Sequence, residues 1–251
     1  MKKLIYAILS LDDNPDRRIA IPPEITGIPG DKLHLIRQGG IAAVAGNTNG
    51  DAVDTVRKAA LQYAGIIENL SFHFTLLPVR FGSVMESEDA VTRMLEKNAT
   101  AILANLQKVD NRFEFGLKIF CDSEKLSAFL VNKTDPAAST NDPPPTDLPP
   151  SVYRDYVNKK LKAHRLEEMM LAYVDSVIAV ITSKVSALTS ISRFTKMAST
   201  SNLIDAVFLL EKEKKDELVV TIAGLMEEHP MLTFMLTGPW PPYNFVDLNI
   251  K

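Results

Sequence analysis

Cysteine is almost missing from this chain: its 251 residues include one, Cys121. A lone thiol makes no internal disulfide and no cysteine-rich zinc centre. That excludes a secreted disulfide scaffold and points to a reducing, intracellular compartment. An excess of one charge is missing too. Lys and Arg total 28 against 31 for Asp and Glu, a net charge of −3. A dedicated nucleic-acid binder shows a basic excess, so no nucleic-acid partner is expected. Long apolar runs are also lacking. The most apolar internal stretch, Leu171–Ile181, is broken by Asp175 and falls well short of the ~20 residues a bilayer requires, so no lipid membrane is expected as partner. Lys2 and Lys3 before Leu4–Leu11 imitate the start of a signal peptide. The run ends in Asp12, Asp13, Asn14 and Pro15 with no small-residue cleavage site, so it reads as a first strand.

Catalytic and cofactor signatures are absent as well. There is no Gly-x-Ser-x-Gly elbow and no phosphate loop, and Gly39-Gly40 lacks the dinucleotide spacing. The four histidines, His34, His73, His164 and His229, have no ligand neighbour at metal-motif spacing. Asp12, Asp13, Asn14 and Asp16 lack the glycine and distal glutamate of a calcium loop. Cys121 follows a strand and reads as a buried, inert thiol. The expectation is a protein that is not an enzyme and holds no cofactor or metal.

What is present is strong periodicity. Lys3–Ser10 has the β-branched, apolar content of a strand buried on both faces. Lys32–Arg37 alternates, and Gln38-Gly39-Gly40 reads as a hairpin turn into Ile41–Ala45. After an Asn47–Gly50 loop with Asp51 as N-cap, Val53, Val56, Ala60, Tyr63, Ile67 and Leu70 mark an amphipathic helix. Phe74–Val79 is a short strand. Ser87 caps a second helix, with Val91, Leu95, Ala99, Ile102 and Leu106 as its buried stripe. Arg112–Phe120 alternates, with Phe113, Phe115, Leu117 and Ile119 inward and Arg112, Glu114 and Lys118 outward. Thr134–Pro150 holds six prolines and reads as an exposed loop. Ser151 to about Met197 has no proline or glycine and predicts one long helix or a tight helical hairpin. Leu203–Leu210 reads as a central strand. Glu211–His229 reads as a helix, with Leu218, Ile222, Leu225 and Met226 on one face. Met231–Thr237 is a strand, and an extended C-terminal tail starts at Gly238.

The predicted class is α+β in two domains. The first, residues 1–110, carries four strands and two helices. The second, residues 111–251, reads β-α-β-α-β and suggests a modified ferredoxin-like plan containing the proline-rich loop 134–150.

Two segments offer more than core. In Leu76–Ser83 a strand breaks at Pro78 and then presents Arg80 and Phe81 before Gly82. Phe81 can plug the core while Arg80 pairs with an acid, or both can meet a partner. In Thr237–Phe245, Pro239, Pro241 and Pro242 stiffen the backbone, while Trp240, Tyr243 and Phe245 supply aromatic area. Prolines lower the ordering cost and aromatics are favoured contact anchors. A tail clamped on its own domain and a contact surface are compatible readings.

At these two segments the chain resembles the GvpF/GvpL family of gas vesicle accessory proteins. The resemblance rests on Leu77-Pro78-Val79-Arg80-Phe81-Gly82, on Phe113-Glu114-Phe115-Gly116-Leu117-Lys118, and on the stretch from Asn202–Leu209 to Thr237–Phe245. It departs at Ala7, where many relatives carry glycine, and in Thr134–Pro150. It implies a non-enzymatic role in forming the gas-filled protein shells that cells use for buoyancy. The implied partners are the hydrophobic shell protein GvpA and other accessory proteins. The implied place is the vesicle within the cytoplasm, with the gas-facing side of the shell open to it. Arg80, Phe81, Pro239, Trp240, Pro241, Pro242, Tyr243 and Phe245 are the expected interaction residues. The competing expectation, from fold analogy, is a ferredoxin-like regulatory module that binds a small molecule.

Overall fold

A computed structural model describes residues 1–11, 20–28, 30, 32–48, 56–134, 152–196 and 202–246. The proline-rich stretch 135–150, the acidic cluster at Asp12–Asp16, the Asp51 cap and Val53 lie outside the described residues. The chain divides into two compact units. One comprises Met1–Phe115, Leu209–Glu213 and Gly238–Lys251; the other comprises Gly116–Phe208 and Lys214–Thr237. This division differs from a single cut before Asn111, because Leu209–Glu213 and the closing segment go with the first unit.

The first unit is built on a five-stranded sheet in the order β2-β3-β1-β4, with β5 also pairing β1. Here β1 is Lys2–Ser10, β2 His34–Gln38, β3 Ile41–Thr48, β4 Leu76–Pro78 and β5 Val84–Met85. Strand β1 is central, and Leu4 to Leu9 are all buried, as its continuous apolar run requires. Two helices pack on this sheet: α1 (Val56–His73) and α2 (Glu88–Val109). One core joins Leu4, Tyr6, Leu9, Val44 and Leu76 of the sheet to Tyr63, Ile67 and Leu70 of α1. Ser87 caps α2 as its sequence predicts, its side chain accepting from the Ala90 N–H at 3.2 Å. The hairpin turn falls at Gly39-Gly40, with Gly39 at φ +58°. Strand β3 runs on to Thr48, into the segment expected as loop, and the two-residue β5 carries no sequence pattern of its own.

The remaining chain contributes a four-stranded sheet in the order β7-β8-β6-β9. Its elements are β6 (Arg112–Cys121), α3 (Ser123–Thr134), α4 (Val152–Val185), β7 (Ser192–Lys196), β8 (Asn202–Glu211), α5 (Lys215–Glu228) and β9 (Leu232–Trp240). The order is therefore β-α-α-β-β-α-β and not β-α-β-α-β. Helix α3 and strand β7 are the additions.

The stretch without proline or glycine is not helical to Met197. Helix α4 is a single helix of 34 residues, and the chain then turns at Thr189, whose hydroxyl accepts from the Ile191 N–H at 3.0 Å. Beyond that turn, β7 pairs antiparallel with β8 from Ser192 opposite Phe208 to Lys196 opposite Ile204. The absence of helix breakers permits a helix without compelling one, and the β-branched and aromatic residues of Ser192–Lys196 gain more from pairing. Strand β8 is interior, as its apolar run implies. On α5, Leu218, Ile222 and Leu225 are buried, but Met226 is largely exposed.

Two further departures matter for function. The segment beginning at Gly238 is not an extended tail from its first residue, since β9 continues through the cis Gly238–Pro239 bond to Trp240. Glu114 does not face solvent. It is 4% exposed, among the few buried charged side chains described.

Candidate interaction surface

The Leu77–Gly82 segment is tied inward. The Val79 N–H donates to Tyr6 O at 3.0 Å, and the Ile5 N–H donates to Ser83 O at 3.0 Å. The Tyr63 hydroxyl lies 2.5 Å from Ile5 O and 2.9 Å from Val79 O, so its one proton bridges α1 to both backbones. Burial holds the Tyr63 phenol protonated, its pKa pushed far up, with Tyr243 and Tyr6 adding to the effect. Tyr6 stacks on Tyr63 at 4.9 Å, and Phe81 meets Tyr63 edge-on at 5.1 Å. Gly82 takes φ +86°, which closes the turn behind Phe81. Arg80 points outward; its carbonyl accepts from the Ser83 hydroxyl at 2.8 Å, and among the described residues its side chain makes no ion pair. Phe81 therefore serves the core, and Arg80 is the part of this segment left at the surface.

The closing segment is also anchored, by different means. Gly238 adopts φ +110°, and a Cβ there would stand 2.8 Å from Glu114 O and 3.2 Å from the Phe115 ring, so only glycine fits. The Glu114 carboxylate accepts from the Asn244 N–H at 2.8 Å and from Asn244 Nδ2 at 2.5 Å. These two bonds justify a buried charge, which needs hydrogen-bonding partners. Lys108 Nζ donates to Phe245 O at 2.9 Å. Tight turns link Tyr243 N–H to Pro241 O at 2.8 Å and Phe245 N–H to Pro242 O at 3.2 Å. Phe245 is buried at 1% exposure, and Pro241 and Pro242 are buried with it.

Two rings escape this burial. Trp240 is 41% and Tyr243 44% exposed. The Tyr243 hydroxyl is pushed up to about 12 by partial burial and by the carboxylates of Glu68 and Glu114. Tyr243 also adds to the upward push on Tyr63, and Phe81 packs on that same ring, so both segments marked by the sequence converge on α1. Beside them, Phe72 of α1 meets Phe113 edge-on at 5.6 Å, and Lys212 Nζ sits 4.6 Å over the Phe113 ring. A shallow recess lies among Ser71, Phe74, Arg112, Phe113, Lys212 and Pro242.

Sequence reasoning missed the two clamps, Glu114 and Lys108. Both partner residues lie more than a hundred positions away, at |i−j| of 130 and 137, and no local pattern announces them. The faint signal was an acid inside an otherwise aromatic strand, Phe113-Glu114-Phe115. Elsewhere, burial and Asp122 push the Cys121 thiol up, which disfavours a reactive thiolate. Among the described residues no three His, Cys, Asp or Glu side chains gather as a metal site would need, and no helix is long and apolar enough to cross a membrane.

The fold has solved counterparts. It superposes on the crystal structure of gas vesicle protein GvpF from Anabaena sp. PCC7120 with a TM-score of 0.75, at 18% identity, covering 99% of this chain and 97% of that one. GvpF from Microcystis aeruginosa gives a TM-score of 0.74 at 17% identity, covering 98% and 99%. By sequence, the chain is 23% identical over 247 residues to gas vesicle protein L of Streptomyces sp. (strain CB03234), covering 91% of this chain and 88% of that protein. A 48-residue stretch is 44% identical to gas vesicle protein F1 of Halobacterium salinarum, 19% of this chain and 22% of that protein. The model of the gas vesicle synthesis protein GvpL/GvpF family matches residues 2–247.

Proposed function

The chain belongs to the gas vesicle synthesis protein GvpL/GvpF family, and from that premise we propose that it acts in gas vesicle formation by protein–protein contact, as a minor structural component or an assembly factor. Its partners in this reading are the hydrophobic shell protein GvpA and other gas vesicle accessory proteins. Its place is the vesicle in the cytoplasm, including the gas-facing side of the shell, and it performs no catalysis. The observation that carries the reading is the closing segment. Glu114 and Lys108 hold its backbone, yet Trp240 and Tyr243 keep exposed faces. A rigid backbone carrying free aromatic rings loses little entropy on binding and presents the residue types that dominate protein contacts. A strongly apolar shell subunit needs its surface or open strand edge covered before it is added to the shell. The strand order β7-β8-β6-β9 with its doubled first helical connection supports a modified ferredoxin-like plan, and among the described residues β9 pairs with β6 alone.

Vesicles floated from the source cells, washed in urea and immunoblotted test this. Survival through the wash means a component held in the shell. A soluble protein that pulls down GvpA is an assembly factor. A protein that neither floats nor binds GvpA overturns the proposal and leaves the small-molecule module, for which a thermal shift with a metabolite is the check. Replacing Trp240 and Tyr243 by alanine should weaken GvpA binding without unfolding the chain. Unchanged binding would make the closing segment purely structural.

A further inference from the structure

Helix α1 carries a second row of residues that its core does not use. Leu61, Gly65, Glu68 and Phe72 recur at steps of four, three and four, so they share one side of the helix. Tyr63, Ile67 and Leu70 are the buried side. On the outer row Leu61 is 67% and Phe72 52% exposed, two large apolar side chains on one stripe of the helix. Gly65 interrupts the row. A Cβ built there meets nothing within 4 Å, and its φ lies outside the left-handed region that favours glycine. The fold thus has no steric use for glycine at this position, and glycine inside a helix is destabilising relative to alanine. What its missing side chain does provide is a notch, between two exposed apolar residues, through which another backbone can approach.

The row also holds a charge. Glu68 is half-buried, its carboxylate makes no ion pair among the described residues, and it lies close enough to Tyr243 to act on that hydroxyl. Covering an unpaired carboxylate with a purely apolar surface is strongly disfavoured, because the charge loses its water and gains nothing. An occupant of this row must bring a cation. A helix suits the site better than a strand, since α1 offers no open backbone edge. Helices also pack ridge into groove at axis separations of about 8–10 Å, reached most easily over a residue without a side chain.

We propose that the Leu61–Gly65–Glu68–Phe72 face is a docking site for a single helix of a partner protein, an apolar helix that sets one lysine or arginine against Glu68. This rests on the reading above only in taking the partner to be another protein.

The test uses the full chain and two synthetic helical peptides of about 20 residues, with Leu and Ala on one face and Gln on the other. They differ only in a central Lys or Glu on the apolar face. Binding is followed by calorimetry. The lysine peptide should bind at least tenfold more tightly than the glutamate peptide. Glu68→Lys should reverse the order. Gly65→Gln fills the notch with a good helix former, so it should weaken the lysine peptide at least tenfold while leaving the melting temperature unchanged or raised. Equal binding of the two peptides, or no reversal by Glu68→Lys, overturns the proposal. So does a self-association of the wild-type chain that Gly65→Gln abolishes, since the occupant would then be a second copy. If peptide discrimination fails but the protein still floats with washed vesicles, the docking site falls and the gas vesicle role stands. If discrimination holds but the protein never associates with vesicles or GvpA, the role falls and the helix site stands.

Discussion

Phe81 and Trp240 lie in segments of similar composition, each with a proline before it and a glycine close by, but Phe81 falls in a turn and Trp240 at the end of β9, and their rings end up in different environments. Phe81 is turned against Tyr63 and helps fix its own loop. Trp240 stays 41% exposed, because the segment around it is fixed by other groups: the Glu114–Asn244 bonds, the Lys108–Phe245 bond and the buried Phe245 ring. In the first segment the aromatic residue is the anchor. In the second, polar bonds and one aromatic do the anchoring and leave two rings for outside contact. A proline-aromatic segment therefore keeps its rings exposed only where something else holds it.

The sharpest way to break this comparison is to remove the plug from each segment. Phe245→Ala should lower stability by about 3–5 kcal/mol, the range for a fully buried phenylalanine. Phe81→Ala should do less, since its ring is only partly buried. Thermal melts that reverse this order would mean the closing segment is not anchored by Phe245. Next in size, Gly238→Ala forces a Cβ against Glu114 O and a left-handed φ on a residue with a side chain. It should cost about 2–4 kcal/mol in denaturant unfolding. A smaller loss is expected for Glu114→Gln, about 1.5–3 kcal/mol, because the new amide cannot accept both Asn244 donors and the charge assistance is gone. An amide exchange measurement should show Asn244 deprotected in that variant. If Asn244 stays protected, polar anchoring is not what holds the segment.

The smallest effect is a pH dependence. The Tyr243 phenol is pushed from 10.0 to about 12, so the folded chain holds this proton more tightly than the unfolded chain. Its contribution to stability is complete below pH 10 and is lost as the pH rises toward about 12. Tyr243→Phe should flatten part of the alkaline fall in melting temperature. Tyr63, pushed up more strongly, keeps the remainder. An unchanged alkaline profile would mean that Tyr243 does not sit against Glu68 and Glu114.

Much of the fold was legible from local pattern. The apolar run of β1, the Gly39-Gly40 turn, the Ser87 cap and the interior position of β8 all follow from residue order within a few positions, which is the range over which helix and strand preferences act. What failed had a common cause. Strand β7 was hidden because a stretch without proline or glycine looks helical until a neighbouring strand is available to pair with it. The outward assignment of Glu114 followed from alternation along β6. Its inward place depends on Asn244, far along the chain. Trp240 falls in the extended tail that the sequence starts at Gly238, because Gly238 and Pro239 resemble a strand end, while the sheet carries β9 straight through them.

The interaction candidates divide along the same line. Composition and motif alone named the family and the aromatic closing segment, since these are properties of residue identity. They could not say which rings would be spent on the core. Burial of Phe81 and Phe245, exposure of Trp240 and Tyr243, and the notch at Gly65 beside Glu68 depend on which surfaces meet when the chain closes on itself. The anchoring contacts of the closing segment join residues more than a hundred positions apart, as with Glu114 and Asn244 at |i−j| of 130. No window along the sequence contains them, and only packing in three dimensions decides them.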